Sequence, residues 1–209
     1  MKRRTRIVTR FPGQVDLVRS MESPVNADDA ALVRRCLAGE DDGLRAFVER
    51  YQGLVFGVCY RMLNHREDAE DVSQEVFLRV FRNLDRWDSA RPLKPWLLTI
   101  TTNRCRTFLE KRSRQTPAID SVAHLAVESS DNDVRDLADE LQLALGRLRE
   151  EYRTCFVLFY QGQASCAEIS EVMDCPKGTV KTWLHRARQE LAEHLQRRGV
   201  VPDVHYQLH

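Results

Sequence analysis

Long apolar runs are missing from this chain. Stretches such as Leu54-Val55-Phe56-Gly57-Val58-Cys59 are far shorter than the roughly 18 residues a membrane-crossing helix needs. The start of the chain is basic (Lys2, Arg3, Arg4, Arg6, Arg10) but has neither the apolar stretch nor the small-residue cleavage site of a secretory signal, so a cytoplasmic location is expected. Paired cysteines are also missing. Cys36, Cys59, Cys105, Cys155, Cys166 and Cys175 are scattered without a C-x-x-C, and the histidine nearest to Cys175, His185, lies ten residues further on. That spacing argues against zinc and for reduced structural thiols. Net charge is almost absent, at +1 from 32 basic and 31 acidic residues, which argues against a nonspecific polycation. No nucleophile motif and no phosphate-cradling glycine loop is present. Asp68, Glu70, Asp71 and Glu75 cluster, and Asp71 and Glu75 share a helix face, but no histidine or further carboxylate is placed to complete a cation site. The expectation is a protein with no catalytic residues, no metal and no cofactor.

What is present is ordinary for a globular protein: 209 residues, 43% hydrophobic and 30% charged, with helix-favouring Leu, Val, Arg and Glu throughout. Between residues 113 and 136 the chain turns polar, with five acidic residues against two basic ones. That stretch reads as an acidic flexible linker. It divides the chain into a basic flexible arm (1–27), a helical domain (28–112), the linker (113–136), a second helical domain (137–197) and a tail (198–209). Neither domain shows a period-two strand, so the fold class is all-α, two small helical domains joined by a flexible linker.

The periodicities place the helices. Ala69, Val72, Val76 and Val80 recur at spacings of three and four, predicting a helix from about Arg66 to Arg82. Its opposite face carries Asp71, Gln74, Glu75 and Leu78. Phe47, Tyr51, Leu54, Val55, Val58 and Met62 predict a long helix before it. Pro95 suits the first turn of a later helix with Trp96, Leu97, Ile100 and Phe108 on one stripe. In the second domain, Leu141, Leu145 and Leu148 form a stripe and Phe156–Tyr160 an apolar run, which Gly162 interrupts.

Ser165-Cys166-Ala167-Glu168 then has the form of a capping box, in which the Ser hydroxyl and the Glu carboxylate satisfy amides at a helix start. Ile169, Val172 and Met173 give that short helix an inward face. After the turn Asp174-Cys175-Pro176, a second helix buries Val180, Leu184, Ala187, Leu191 and Leu195. Its other side carries Lys177, Thr179, Lys181, Thr182, His185, Arg186 and Arg188. A short capped helix, a tight turn and a second helix basic in its first half form a helix-turn-helix, whose second helix enters the major groove.

These residues also resemble a known family. Glu168-Ile169-Ser170, Pro176 through Leu184, Arg186-Ala187-Arg188 and Leu191 are similar to the C-terminal domain of sigma-70-type RNA polymerase sigma factors of the extracytoplasmic-function (ECF) group. Asp68-Ala69-Glu70-Asp71-Val72, Gln74-Glu75-Val76-Phe77-Leu78, Pro95-Trp96-Leu97 and Asn103 resemble the family's other domain, in the expected order.

The resemblance implies a sigma-2-like helical bundle and a sigma-4-like helix-turn-helix domain. Asp68, Asp71, Gln74, Glu75 and Leu78 would dock on core RNA polymerase, whose beta-prime clamp and beta flap are the implied surfaces. Arg82, Arg86, Trp87, Arg91, Lys94, Asn103, Arg104 and Arg112 would bind promoter DNA at the minus-ten element and open it. Basic residues with interleaved aromatics suit unstacked single strands. Trp96 falls in the buried stripe and reads as core, which leaves Trp87 as the stacking candidate. Lys177, Thr179, Lys181, Thr182, His185, Arg186 and Arg188 would read the minus-thirty-five element as duplex. An anti-sigma factor is an implied further partner, and a stress or envelope-signal regulon the implied target. The competing reading is a free-standing helix-turn-helix regulator that does not dock on polymerase. It has no use for the acidic row or for the basic-aromatic track.

Overall fold

A computed structural model of the chain describes residues 25–115 and 133–200. Among the described residues there are eight α-helices and no strand. In order they are α1 (Val25–Leu37), α2 (Asp41–Leu63), α3 (Arg66–Asn83), a one-turn 3-10 helix (Leu84–Arg86), α4 (Leu93–Gln115), α5 (Asp133–Arg147), α6 (Glu150–Tyr160), α7 (Cys166–Val172) and α8 (Lys177–Arg197). Residues 116–132 of the expected linker, most of the expected arm and most of the tail lie outside the described residues. The arm's last residues instead begin α1. The two ends of the expected linker belong to α4 and α5.

The first block folds around the stripe of α2, where Phe47, Tyr51, Val55, Val58 and Met62 are buried at helical spacing. Asn64 ends α2 in the left-handed conformation (φ 56°), its amide bonded to the Tyr60 carbonyl. His65 then caps α3 by accepting from the Asp68 amide at 3.4 Å. On α3 the predicted stripe Ala69, Val72, Val76 and Val80 is buried. Tyr51 donates its hydroxyl to buried Asp29 at 2.7 Å, pinning α1 to α2, and the Arg50 guanidinium lies 3.2 Å from the same carboxylate. Burial, then the bond to Asp29, pushes the Tyr51 phenol up.

On α4 the predicted phase needs correction. The buried residues are Leu93, Leu97, Leu98, Thr101, Thr102 and Cys105, while Trp96, Ile100 and Phe108 are half-buried. The helix is covered from more than one side, by α2, α3 and α7. Its inward band is therefore wider than a single stripe and centred elsewhere.

In the second block, Leu145 and Leu148 pack with Ala187 and Leu191 of α8, with Leu141 at the edge. Gly162 follows α6 where a Cβ would meet the Leu158 carbonyl oxygen at 2.5 Å, so only glycine lets the chain turn there.

The two blocks also pack on each other. Gln142 of α5 donates to the Tyr60 carbonyl at 2.9 Å and accepts from Arg61 at 3.1 Å. Arg153 of α6 donates to the carbonyls of Met62 (3.0 Å), Gly146 (2.8 Å) and Leu148 (3.0 Å). Two glycines receive amide side chains from the opposite block. A Cβ on Gly57 would collide with Gln161 at 2.3 Å, and one on Gly146 would meet Asn64 at 2.9 Å. Val157, Leu158, Ala164, Ile169, Val180 and Leu184 belong to the same apolar core as α2, α3 and α4.

Candidate nucleic-acid and polymerase interfaces

The helix-turn-helix is held by local chemistry. Ser165 Oγ accepts from the Glu168 amide at 3.2 Å while Glu168 Oε2 accepts from the Ser165 amide at 2.7 Å, a complete capping box. The turn reverses at Asp174, which adopts a left-handed φ of 49°. The Ser170 hydroxyl donates to the Cys175 carbonyl, and the Cys175 amide to the Ser170 carbonyl at 3.1 Å. Pro176, lacking an amide hydrogen, ends the turn and leads into α8.

On α8, Val180, Leu184, Ala187 and Leu191 are buried as predicted, but the stripe continues through His194 rather than Leu195, which is half-buried. Lys177, Lys181, Thr182, His185 and Arg186 are exposed and Thr179 is half-buried. At 100° per residue, Thr182, His185 and Arg186 point away from the core, while Lys177, Lys181 and Arg188 line one flank. The Thr182 hydroxyl donates back to the Gly178 carbonyl at 3.1 Å. Arg188 is half-buried, and its Nε donates to the Tyr160 hydroxyl at 2.9 Å.

The acidic row of α3 divides in two. Asp71, Gln74 and Leu78 face solvent, Leu78 being 56% exposed. Asp68, half-buried, and Glu75, exposed, lean toward α4. Arg112 reaches Asp68 at 3.1 Å, and Arg104 is ion-paired with Glu75. Two residues expected at polymerase and two expected at DNA are thus paired with one another.

The rest of the basic track is dispersed. Arg82, Arg86, Arg91 and Asn103 are exposed. Lys94 is half-buried with Nζ 3.5 Å from the Gln163 carbonyl of the other block, and burial lowers its pKa. Arg106 lies 3.1 Å from Glu150 of α6.

Trp87, the expected stacking candidate, is buried, while Trp96, expected in the core, is half-buried against it. Trp87 is 8% exposed and its indole N–H is buried without a hydrogen-bond partner, so no base can stack on it as it stands. Trp96 lines an open groove with Arg79, Asn83, Arg86, Ile100 and Asn103. The sequence reading missed Arg79 and Asn83. Their signal was the spacing Arg79, Arg82, Asn83, Arg86, which brings basic and amide groups to the end of α3 beside α4.

Among the described residues, no group of three or more His, Cys, Asp or Glu is placed to hold a metal, and no helix is long and apolar enough to cross a membrane.

Two family models match the chain, Sigma-70 region 2 over residues 47–115 and Sigma-70, region 4 over residues 138–191. The chain is 31% identical to the ECF RNA polymerase sigma factor SigW of Bacillus subtilis over 177 residues, covering 78% of this chain and 95% of that protein. It is 30% identical to the ECF RNA polymerase sigma-E factor of Haemophilus influenzae over 183 residues, covering 80% and 95%. Two solved structures share the fold. CnrH in complex with the cytosolic domain of CnrY has a TM-score of 0.63 at 21% identity, covering 81% of this chain and 97% of that one. The sigma factor RpoE in complex with the anti-sigma factor NepR, from Bartonella quintana, has a TM-score of 0.60 at 23% identity, covering 73% and 98%. With both region models in order along one chain and relatives matched over nearly their whole length, the chain belongs to the extracytoplasmic-function group of sigma-70 family RNA polymerase sigma factors.

Proposed function

We propose that this sigma factor directs core RNA polymerase to its promoters by binding alone, with the work divided among three surfaces. The exposed part of the α3 row (Asp71, Gln74, Glu75, Leu78) docks on the polymerase clamp. An acidic surface beside an exposed leucine suits a basic partner with an apolar socket better than it suits DNA. The groove at Trp96, Arg79, Asn83, Arg86 and Asn103 takes the minus-ten element, where an aromatic ring among cations and amides can hold an unstacked base. The outward side of α8 reads the minus-thirty-five element in the major groove.

The observation that carries the reading is α8 itself. Lys177, Lys181, His185 and Arg186 stand exposed on a helix whose opposite side is fully buried, directly after a capped helix and a tight turn. Such a factor acts where the chromosome is, in the cytoplasm, and needs no catalytic group of its own. An anti-sigma factor that covers its DNA-binding surfaces would regulate it, in keeping with the complex of RpoE with the anti-sigma factor NepR. A stress or envelope signal is the kind of input that such regulation serves.

Run-off transcription with purified core polymerase and a pool of promoter fragments tests this. Discrete transcripts that require the chain are expected. Binding of the chain to DNA with no initiation on any fragment would favour the free-standing regulator instead.

A further inference from the structure

We propose that Tyr160, at the end of α6, and Arg188 of α8 together form a contact for one backbone phosphate of duplex DNA, on the flank of the recognition helix. The inference rests on the reading of α8 as the DNA-reading helix and adds a residue outside it. Tyr160 is half exposed although it is a large aromatic. Its ring packs against Phe156 and Phe159, with centroids at 4.4 and 5.0 Å. Its oxygen accepts the Nε hydrogen of Arg188 at 2.9 Å. The Arg188 guanidinium carbon lies 5.5 Å from the Phe159 ring centroid and 5.7 Å from that of Tyr160. Two rings and one hydrogen bond therefore fix the plane of the guanidinium before any ligand arrives.

The donors left over suit an anion. Nε is taken by the phenol, which leaves both Nη groups of Arg188. The phenol oxygen accepts from Arg188, which leaves its own O–H to donate. A phosphodiester carries two non-bridging oxygens and could take one donor from each residue. A carboxylate at Tyr160 would neutralise the arginine, whereas a phenol holds it without cancelling its charge.

The position suits backbone rather than base. Lys177, Lys181 and Arg188 share one flank of α8 and together span about 16 Å of it by the 1.5 Å rise per residue. Thr182, His185 and Arg186 project outward between that flank and the other. A helix seated in the major groove presents its outward side to base edges and its flanks to the phosphates on either side.

The test uses core polymerase with the full chain, bound to a duplex promoter fragment taken from the run-off pool, across a salt series. Arg188→Ala should weaken binding about ten-fold and reduce the salt slope by roughly one, equally on promoters of different sequence. Tyr160→Phe should weaken binding about three- to five-fold, the scale of one hydrogen bond. Combined with Arg188→Ala it should still cost about two- to three-fold, because the phenol O–H donates to the phosphate itself. Thermal unfolding of both variants should stay near that of the parent chain. A Tyr160→Phe change that costs nothing once Arg188 is gone, or a salt slope that Arg188→Ala leaves unchanged, would reduce the pair to a staple between α6 and α8 and overturn the proposal. A parent complex that binds no fragment at all would overturn the reading of α8 together with it.

Discussion

Arg153 donates to the Met62 carbonyl at 3.0 Å and so fastens the helix-turn-helix half of the chain to the last turn of α2. The same guanidinium holds the Gly146 and Leu148 carbonyls where α5 turns into α6. Replacing it by methionine keeps the stem's packing but leaves three carbonyls without their donor. Arg153→Met should destabilise the chain by about 2–4 kcal/mol, since hydrogen bonds to charged groups are the stronger ones. Denaturant unfolding measures this. A change below about 0.5 kcal/mol, the scale of an ordinary surface substitution, would show that the joint is not held there.

The two tryptophans make different predictions. Trp87 is buried in the first block, so Trp87→Ala should cost about 3–5 kcal/mol and lose activity through loss of folded protein. Trp96 is half-buried against the same core but also borders an open groove, so Trp96→Ala should destabilise the chain less than Trp87→Ala does and, in the protein that remains folded, impair strand opening. Permanganate reactivity of unpaired thymines in the polymerase complex reads the second effect. Equal opening by the Trp96→Ala variant and the parent chain would remove the ring from the mechanism.

The reason Trp87 turns inward shows where sequence reading stops. Leu84 opens a single 3-10 turn and Trp87 follows it; residues three apart in such a turn lie directly above one another, and both turn inward. A stripe counted at 3.6 residues per turn across that segment loses its phase. The buried band of α4 differs for another reason: α2, α3 and α7 pack on it from more than one side, so Leu98, Thr101 and Thr102 join the expected Leu97 while Trp96 and Ile100 are half-buried. Where a helix is covered from one side only, or the signal is local, the reading was close. The stripe Ala69, Val72, Val76, Val80 and the capping box Ser165/Glu168 stand as written, because each depends only on neighbours within one or two turns. The pairing of Arg104 with Glu75 and of Arg112 with Asp68 was out of reach, since both pairs join residues far apart in the chain on two packed helices. So was the seam between the two blocks.

His194 gives the chain a pH dependence of known sign. It is buried beside Arg147, with Glu140, Arg197 and Arg198 also near, and burial together with Arg147 lowers its pKa. The folded state therefore takes up its proton at lower pH than the unfolded chain does. Stability associated with neutral His194 is fully present above the ordinary histidine value of about 6.5 and is lost as pH falls from there through the lowered folded value. His194→Gln should flatten stability against pH over that window in denaturant unfolding. An unchanged slope would assign it to other groups.

Thiol reactivity should follow burial. Cys36, Cys59, Cys105 and Cys155 are buried, and burial pushes the Cys155 thiol up to about 12. Cys166 and Cys175 are only partly covered, in and just after the short helix of the helix-turn-helix. Brief alkylation of the folded chain at neutral pH, followed by peptide mass spectrometry, should label these two first, because access as well as thiolate character limits the others. Early labelling of Cys59 or Cys105, whose sulfurs lie 3.7 Å apart in the core, would mean that the first block opens readily.

The glycine seats at the seam constrain how such proteins can be recombined. Gly57 makes room for Gln161 and Gly146 makes room for Asn64, so each half of the chain is shaped to a side chain of the other. A chimera that takes one half from a relative inherits half of each fitting. Where the incoming half lacks the amide, the glycine faces a void. Where the incoming half brings a larger residue in place of the glycine, the amide must swing away before the halves can close. The units that exchange cleanly are therefore not the two halves at their linker but the matched pairs, carried together.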